Sequence, residues 1–319
     1  MTKYVIKRFL LMLLTLFVIV TVCFMLVRML PREMPTDKIQ AAAIEARWKE
    51  LGYEEPLLTQ YGIYLKGIFT EGDFGTSWYI EFREPAMNVI VKRLPPTIMV
   101  NLYSFIISVP LGIMFGIYAA VKKNKWQDSF ISTAVMVFVS VPAFVYAFLL
   151  QYFFYFKLGW LPATVYSLAD AGGSWYTSKM FVSMILPIIA LSFSQVATLT
   201  RFTRAELTET LTSDYMLLAR AKGLSRSQAT TRHALKNAMV PILPTILSIL
   251  IGILMGSFVV EQIFSIPGVG MVYLRAINLF DYDVFMADTI FYTTIGLLSG
   301  ILTDISYGFL DPRIRMGEK

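Results

Sequence analysis

The sequence predicts an all-α polytopic membrane protein with six transmembrane helices and both termini cytoplasmic. Three observations predict it. Of 319 residues, 56% are hydrophobic and only 16% charged, against about 25% charged in soluble domains. The charges gather in short blocks between apolar runs, each run near the roughly 20 residues that cross a hydrocarbon core. The Lys and Arg blocks fall in alternate loops, which is the positive-inside pattern.

The first span is expected over 9–30, preceded by Lys3, Lys7 and Arg8 and carrying one charge, Arg28, near its outer end. A long cationic side chain there can snorkel. The run exceeds a signal-peptide h-region and no small-x-small cleavage site follows, so it reads as a retained helix. The second span, 97–121, is interrupted by Asn101, Pro110, Gly112 and Gly116; glycines four apart share a face and permit close helix contact. The third, 129–156, has Pro142 in its middle and ends in QYFFYFKLGW, an interfacial aromatic belt. The fourth is expected over 180–199 and the fifth over 240–260, with Gly252 and Gly256 again four apart. The sixth is expected over 284–305.

Sidedness follows from charge. Lys122, Lys123 and Lys125 follow the second span. Arg201, Arg204, Arg220, Lys222, Arg226, Arg232 and Lys236 lie between the fourth and fifth, and Arg313, Arg315 and Lys319 close the chain. The later part of the loop after span three has only Lys179, and the loop after span five only Arg275. The termini and the two basic loops are therefore expected inside. This divides the chain into a start and first helix (1–30), an extracytoplasmic subdomain (31–96), and a five-helix core (97–319) with a cytoplasmic loop at about 201–240. The subdomain holds a short helix, DKIQAAAIEARWKELG, closed by Gly52. A lid, a docking face and a structural collar all remain open for it.

Composition also excludes classes. One cysteine, Cys23, and one histidine, His233, rule out an intrachain disulfide and argue against a zinc or iron–sulfur site. The net charge of +6 fits basic loops; no basic, aromatic-interleaved segment supports nucleic-acid binding. No Gly-x-x-x-x-Gly-Lys-Ser/Thr loop is present, so a partner must supply ATP energy if transport is active. No catalytic residue set is found.

The loop 201–240 is the informative segment. Leu211, Tyr215, Leu218 and Lys222 are expected on one helical face with Ala219 beside them. Gly223 then reads as a left-handed C′ residue. Ser225 followed by Gln228 is a capping-box signature, so a second helix restarts at once. Two readings compete: an amphipathic element lying on anionic lipid, or a rigid knuckle fitting a groove on a soluble partner. The sharp corner favours the knuckle, because an adsorbed helix gains little from a defined turn. Asn101 and Gln195, with Ser194, either line a pathway or hydrogen-bond across helices. Asp288 either meets a substrate amino group or serves an interfacial or intersubunit pair. Asp304 is expected to pair with Arg201 or Arg204, or to face headgroups.

ARAKGLS (219–225) followed by RHALKNAMVP (232–241) resembles the coupling loop of integral membrane permeases of bacterial ABC importers, in the dipeptide, oligopeptide and nickel subfamily. MTKYVIKRFL, GDFGTSW (72–78), EQIFSIPGVG (261–270) and DPRIR (311–315) are similar to further stretches of the subunit with a long first outer segment. Leu217 and Leu218 stand where the general family has Glu and Ala, and Asp283 in DYDVF where relatives often have proline.

The resemblance implies a type I ABC importer permease that moves peptides inward by alternating access; nickel is the alternative cargo, and an ATP-independent carrier or channel the rival class. It implies a coupling role for Ala219, Arg220, Ala221, Lys222, Gly223, Leu224, Ser225, Arg232 and His233. It makes Phe264, Pro267, Gly268 and Gly270 an outer-loop or gating element. The implied partners are a second homologous permease chain, two cytoplasmic ATPase subunits using ATP and Mg, an extracytoplasmic peptide-binding protein or lipoprotein, and membrane lipid. The implied location is the bacterial inner membrane.

Overall fold

The computed structural model describes residues 2–31, 34 and 36–310; the DPRIR stretch and the basic residues Arg313, Arg315 and Lys319 lie outside them. Among the described residues the chain is all-α apart from one two-residue antiparallel ladder, β1 (Thr76–Ser77) with β2 (Glu84–Pro85). Among the described residues five helices are long and apolar enough to cross a membrane, or six if one bent pair is a single span. The helices are α1 (Thr2–Met29), α2 (Lys38–Glu50), α3 (Leu57–Lys66), α4 (Ala86–Val91), α5 (Leu94–Val121), α6 (Trp126–Ser140), α7 (Ala143–Leu150), α8 (Ser178–Leu211), α9 (Asp214–Ala221), α10 (Arg226–Ala229), α11 (Leu235–Gly252), α12 (Phe258–Ile263), α13 (Val272–Asn278) and α14 (Tyr282–Leu310). The chain divides into two compact units, Pro96–Ile266 with Ser299–Lys319, and Thr2–Pro95 with Pro267–Leu298.

In the first unit, α5 lies against α8 at the two glycines of the second span. A Cβ on Gly112 would stand 2.6 Å from the Leu199 Cβ, and one on Gly116 would stand 2.5 Å from the Thr203 Cβ and 2.9 Å from the Thr200 carbonyl oxygen. The small residues are what let the two backbones approach. Hydroxyls join the same pair of helices: Ser104 meets Ser192 at 3.1 Å, and Ser108 donates to Gln195 Oε1 at 2.6 Å. The core below is built from Met99 and Val100 of α5, Ala147 and Leu150 of α7, Met180 and Met184 of α8, and Val260 of α12 with Phe264 behind it.

Three spans differ from the sequence expectation. The third is not one helix: α6 and the following helix bend by 98°. Pro142 is the reason, since proline has no N–H and clashes with the carbonyl four residues back. Val141 is accordingly extended. The Tyr146 hydroxyl takes the place of the missing donor, reaching the Phe138 carbonyl at 2.8 Å. Past α7 the chain continues as a π-helix, Gln151–Lys157, whose Tyr152, Phe153, Tyr155 and Phe156 are exposed. The fourth span runs to Leu211, so part of the expected loop is membrane-helix continuation. The fifth ends at Gly252, not near Val260. Gly256 lies outside any helix with φ +66°, and a Cβ on Gly252 would meet nothing within 4 Å. That pair is therefore a chain break and not a helix contact; left-handed backbone at Gly256 is incompatible with continued helix.

In the second unit, Phe24 of α1 packs between Tyr61 and Tyr64 of α3, with ring centroids 5.1 and 5.0 Å away. Cys23 is a partly buried neighbour of this cluster. The Arg28 guanidinium lies over the Tyr53 ring at 3.6 Å and the Phe24 ring at 4.7 Å, so the charge of the first span rests on aromatic faces. Asp37 caps α2 by accepting from the N–H groups of Ile39 and Gln40, and Gly52 ends it at φ +67°, as the sequence indicates.

Candidate functional site

The segment after α8 forms a defined corner. The helix stops at Leu211, and α9 starts at Asp214 after two intervening residues. Leu211 thus belongs to the preceding helix and does not extend a single face through Tyr215, Leu218 and Lys222. The inner face of α9 is Met216 and Ala219, both buried with Ala120, Leu207, Ala229, Ala234 and Ala238. Its outer face carries Tyr215, Leu217 and Leu218, which are 38%, 65% and 56% exposed.

The corner is closed by backbone geometry. Gly223 has φ +88°. The Leu224 N–H bonds to the Ala219 carbonyl at 3.3 Å and the Gly223 N–H to the Arg220 carbonyl at 3.0 Å. This pair of bonds is the Schellman closure, and Leu224 packs back on the cluster that holds Ala219. A Cβ on Gly223 would meet nothing within 4 Å, so only the left-handed conformation restricts this position. Ser225 and Gln228 then make both bonds of a capping box. Arg220, Ala221, Lys222, Gly223, Ser225, Arg232 and His233 are all exposed, the last two on a π-helical turn, Thr230–Ala234. A buried alanine face holds the corner while its basic and leucine-bearing outside stays open.

The other sequence candidates are dispersed. Phe264 is fully buried in the first unit's core, and its carbonyl accepts from Val165 N–H at 2.8 Å. Ser265 follows at φ +52°. Gly268 and Gly270 are buried, whereas Pro267 is exposed. Asn101 donates to the Thr97 carbonyl of its own helix at 2.9 Å, and Gln195 is joined to Ser108 across helices. Asp288 is fully buried within the second unit. Among the described residues no group of three or more His, Cys, Asp or Glu side chains converges. Arg204 is paired with Asp128, not Asp304: its Nη2 donates to Asp128 Oδ2 at 2.8 Å. Asn124 N–H and Ser132 Oγ donate to the same carboxylate.

Sequence reading missed Asp281. Its Oδ2 accepts from Ser77 Oγ at 2.6 Å and from the N–H groups of Trp78, Tyr79 and Ile80 at 3.2, 3.0 and 2.9 Å. The GDFGTSW stretch is thus fastened to the start of α14. Asp283, noted as a departure, serves the same junction. It accepts from Thr76 N–H at 3.1 Å, and a Cβ on Gly75 would stand 2.6 Å from the Asp283 Cβ. The only local signal was a glycine-rich loop whose consecutive N–H groups needed an acceptor; nothing nearby named it.

Comparison with known proteins gives concordant matches. The model described as binding-protein-dependent transport system inner membrane component matches residues 112–316, and its N-terminal counterpart matches 1–101. The dipeptide transport system permease protein DppB of Lactococcus lactis subsp. cremoris is 38% identical over 99% of this chain and 100% of its own length. The protein of the same name from Bacillus subtilis is 35% identical over 100% of both. The glutathione transport system permease protein GsiC of Escherichia coli K12 is 34% identical over 99% of each chain. With both parts of the family model matched and full-length relatives this similar, the chain belongs to the family of binding-protein-dependent transport system inner membrane components.

Proposed function

We propose that this chain is the permease subunit of an ATP-driven importer of short peptides, coupled to separate ATPase subunits through the α9–α10 corner. The observation that carries this reading is the corner itself. A Schellman-closed helix is recapped two residues after Gly223, its inner face locked by small buried side chains and its outer face exposed. Such an element transmits displacement instead of absorbing it. Coupling needs a rigid contact whose partner interactions differ between two states. The corner supports that role better than adsorption on lipid, which requires no defined turn. The sidedness of the basic loops supports cytoplasmic termini and a cytoplasmic corner. The names of the relatives, dipeptide and glutathione permeases, support small peptides as cargo. A second permease chain and an external binding protein complete the proposed assembly in a bacterial inner membrane.

The test is uptake by liposomes holding the purified complex, with ATP inside and a loaded binding protein outside. Labelled peptides of two to nine residues and nickel ions are offered separately. ATP-dependent accumulation of the shortest peptides is expected. Accumulation of nickel alone overturns the peptide assignment, and flux that persists without ATP overturns the coupling.

A further inference from the structure

We infer that the Asp128–Arg204 ion pair is a positioning element for transport: it ties α6 to α8, so that displacement of the α9–α10 corner moves both helices together. This rests on the coupling role proposed above for the corner. All the elements concerned lie within the first unit.

The start of α6 is held by charge. Of its fifteen residues only Asp128 and Val135 are buried. Trp126 and Phe130, the large apolar side chains of its first turns, are 74% and 67% exposed. Asp128 is therefore what fastens this end. Arg204 Nε and Nη2 donate to its two carboxylate oxygens, and such a two-point grip fixes direction as well as distance. The Asn124 N–H donates to the same carboxylate at 3.1 Å, with Asn124 itself left-handed at φ +64°. One side chain thus sets both the turn out of α5 and the attachment of α6 to α8.

The far end of α6 is a hinge. Val141 is extended, and α6 and the following helix bend by 98° there. A proline stands at a matching height in α8. The two helices run antiparallel, with Asp128 against Arg204 and Phe138 stacked on Phe193 at 5.0 Å. Pro142 lies four residues after Phe138 and Pro187 six residues before Phe193. Both prolines are therefore on the same side of the stack, about 6 and 9 Å from it. Pro187 denies the Ser183 carbonyl its helical donor. Beyond the prolines, Ala147 and Leu150 of α7 and Met180 and Met184 of α8 share the unit's core.

At the opposite end α8 runs into the corner. Leu207, three residues past Arg204, is fully buried with Met216 and Ala219 of α9 and Ala229 of α10. A displaced corner carries Leu207 and Arg204 with it, and Arg204 carries Asp128. Two arms, each ending at a proline, are joined where the motion enters. Apolar packing would hold α6 in place equally well; the ion pair adds a fixed direction of pull.

The experiment is pulsed electron–electron distance measurement on the purified full-length permease in its complex with the ATPases. Cys23→Ala removes the native thiol, and spin labels are placed at Phe130→Cys on α6 and Phe148→Cys on α7, both exposed. In the otherwise wild-type chain, trapping with ATP and vanadate should shift the distance between the labels. Arg204→Gln should lose that shift. It should also lower uptake of a labelled dipeptide per ATP hydrolysed by about tenfold, within the range of ordinary coupling energies. Arg204→Lys keeps the charge without the two-point grip and should fall between. Because Arg204→Gln strands a buried carboxylate and can fail to fold, Asp128→Leu with Arg204→Leu is made as well. That pair should match wild-type thermal stability and still lose the shift and the coupling. No shift in the otherwise wild-type chain overturns the inference. So does an equal shift, or equal uptake per ATP, in Arg204→Gln or in the leucine pair while wild-type uptake is ATP-driven. Wild-type uptake that needs no ATP overturns the coupling role of the corner together with the tie.

Discussion

Replacing Asp281 by Asn should release the segment that follows β1. The carboxylate is 1% exposed and accepts from four donors: the Ser77 hydroxyl and three consecutive backbone N–H groups. An amide has one acceptor oxygen with two lone pairs, and its NH₂ group is itself a donor. All four donors share one anionic oxygen, Oδ2; a neutral amide oxygen with two lone pairs holds about two of them. Each buried donor left unpaired costs about 1–3 kcal/mol, so the local cost is about 2–6 kcal/mol. Ser77→Ala deletes one donor and leaves the other three in place, and its loss should be smaller. The assay is hydrogen–deuterium exchange on peptides covering 76–81, which reports local opening. The lower bound of about 2 kcal/mol corresponds to roughly 30-fold faster exchange. Exchange within about threefold of wild type in Asp281→Asn, with thermal stability unchanged, would refute the idea that this carboxylate holds the segment.

Three further outcomes are expected. Gly223→Ala should cost about 1–2 kcal/mol through left-handed backbone strain alone, because a Cβ there meets nothing. Uptake per ATP hydrolysed should rank Gly above Asn above Ala; equal coupling in all three would show that the corner's conformation is irrelevant. Gly116→Ala should destabilise by about 1–3 kcal/mol through overpacking against Thr203 and the Thr200 carbonyl, whereas Gly252→Ala should be close to neutral or stabilising. Thermal unfolding in detergent distinguishes them, and equal shifts would remove the argument from close approach. Tyr146→Phe should cost about 1–3 kcal/mol by leaving the Phe138 carbonyl without its substitute donor. Its readout is exchange at residues 137–146, where wild-type protection in the variant would be the contrary result.

Hydrophobic length is a one-dimensional property, so the apolar spans were readable in approximate place, though not in their ends or straightness: the fourth runs on to Leu211 and the fifth stops at Gly252. Gly52, Gly223 and the Ser225–Gln228 box were readable for a related reason: each depends on atoms within a few residues. Pro142 announced a disturbance, but sequence could not choose between a tolerated kink and a 98° bend, because that depends on where neighbouring helices stand. The glycine pairs make the same point. Gly112–Gly116 and Gly252–Gly256 share a spacing, yet one pair meets a helix and the other marks a break. Asp281 was illegible because its first partner, Ser77, is 204 residues away. The sequence by itself determined the membrane class, the family and the corner at Gly223. Tertiary structure alone decided that Arg204 belongs to Asp128 and that Asp281 fastens the GDFGTSW segment. Local backbone preference acts between neighbours in the chain, whereas a charge finds its partner only after distant helices have packed.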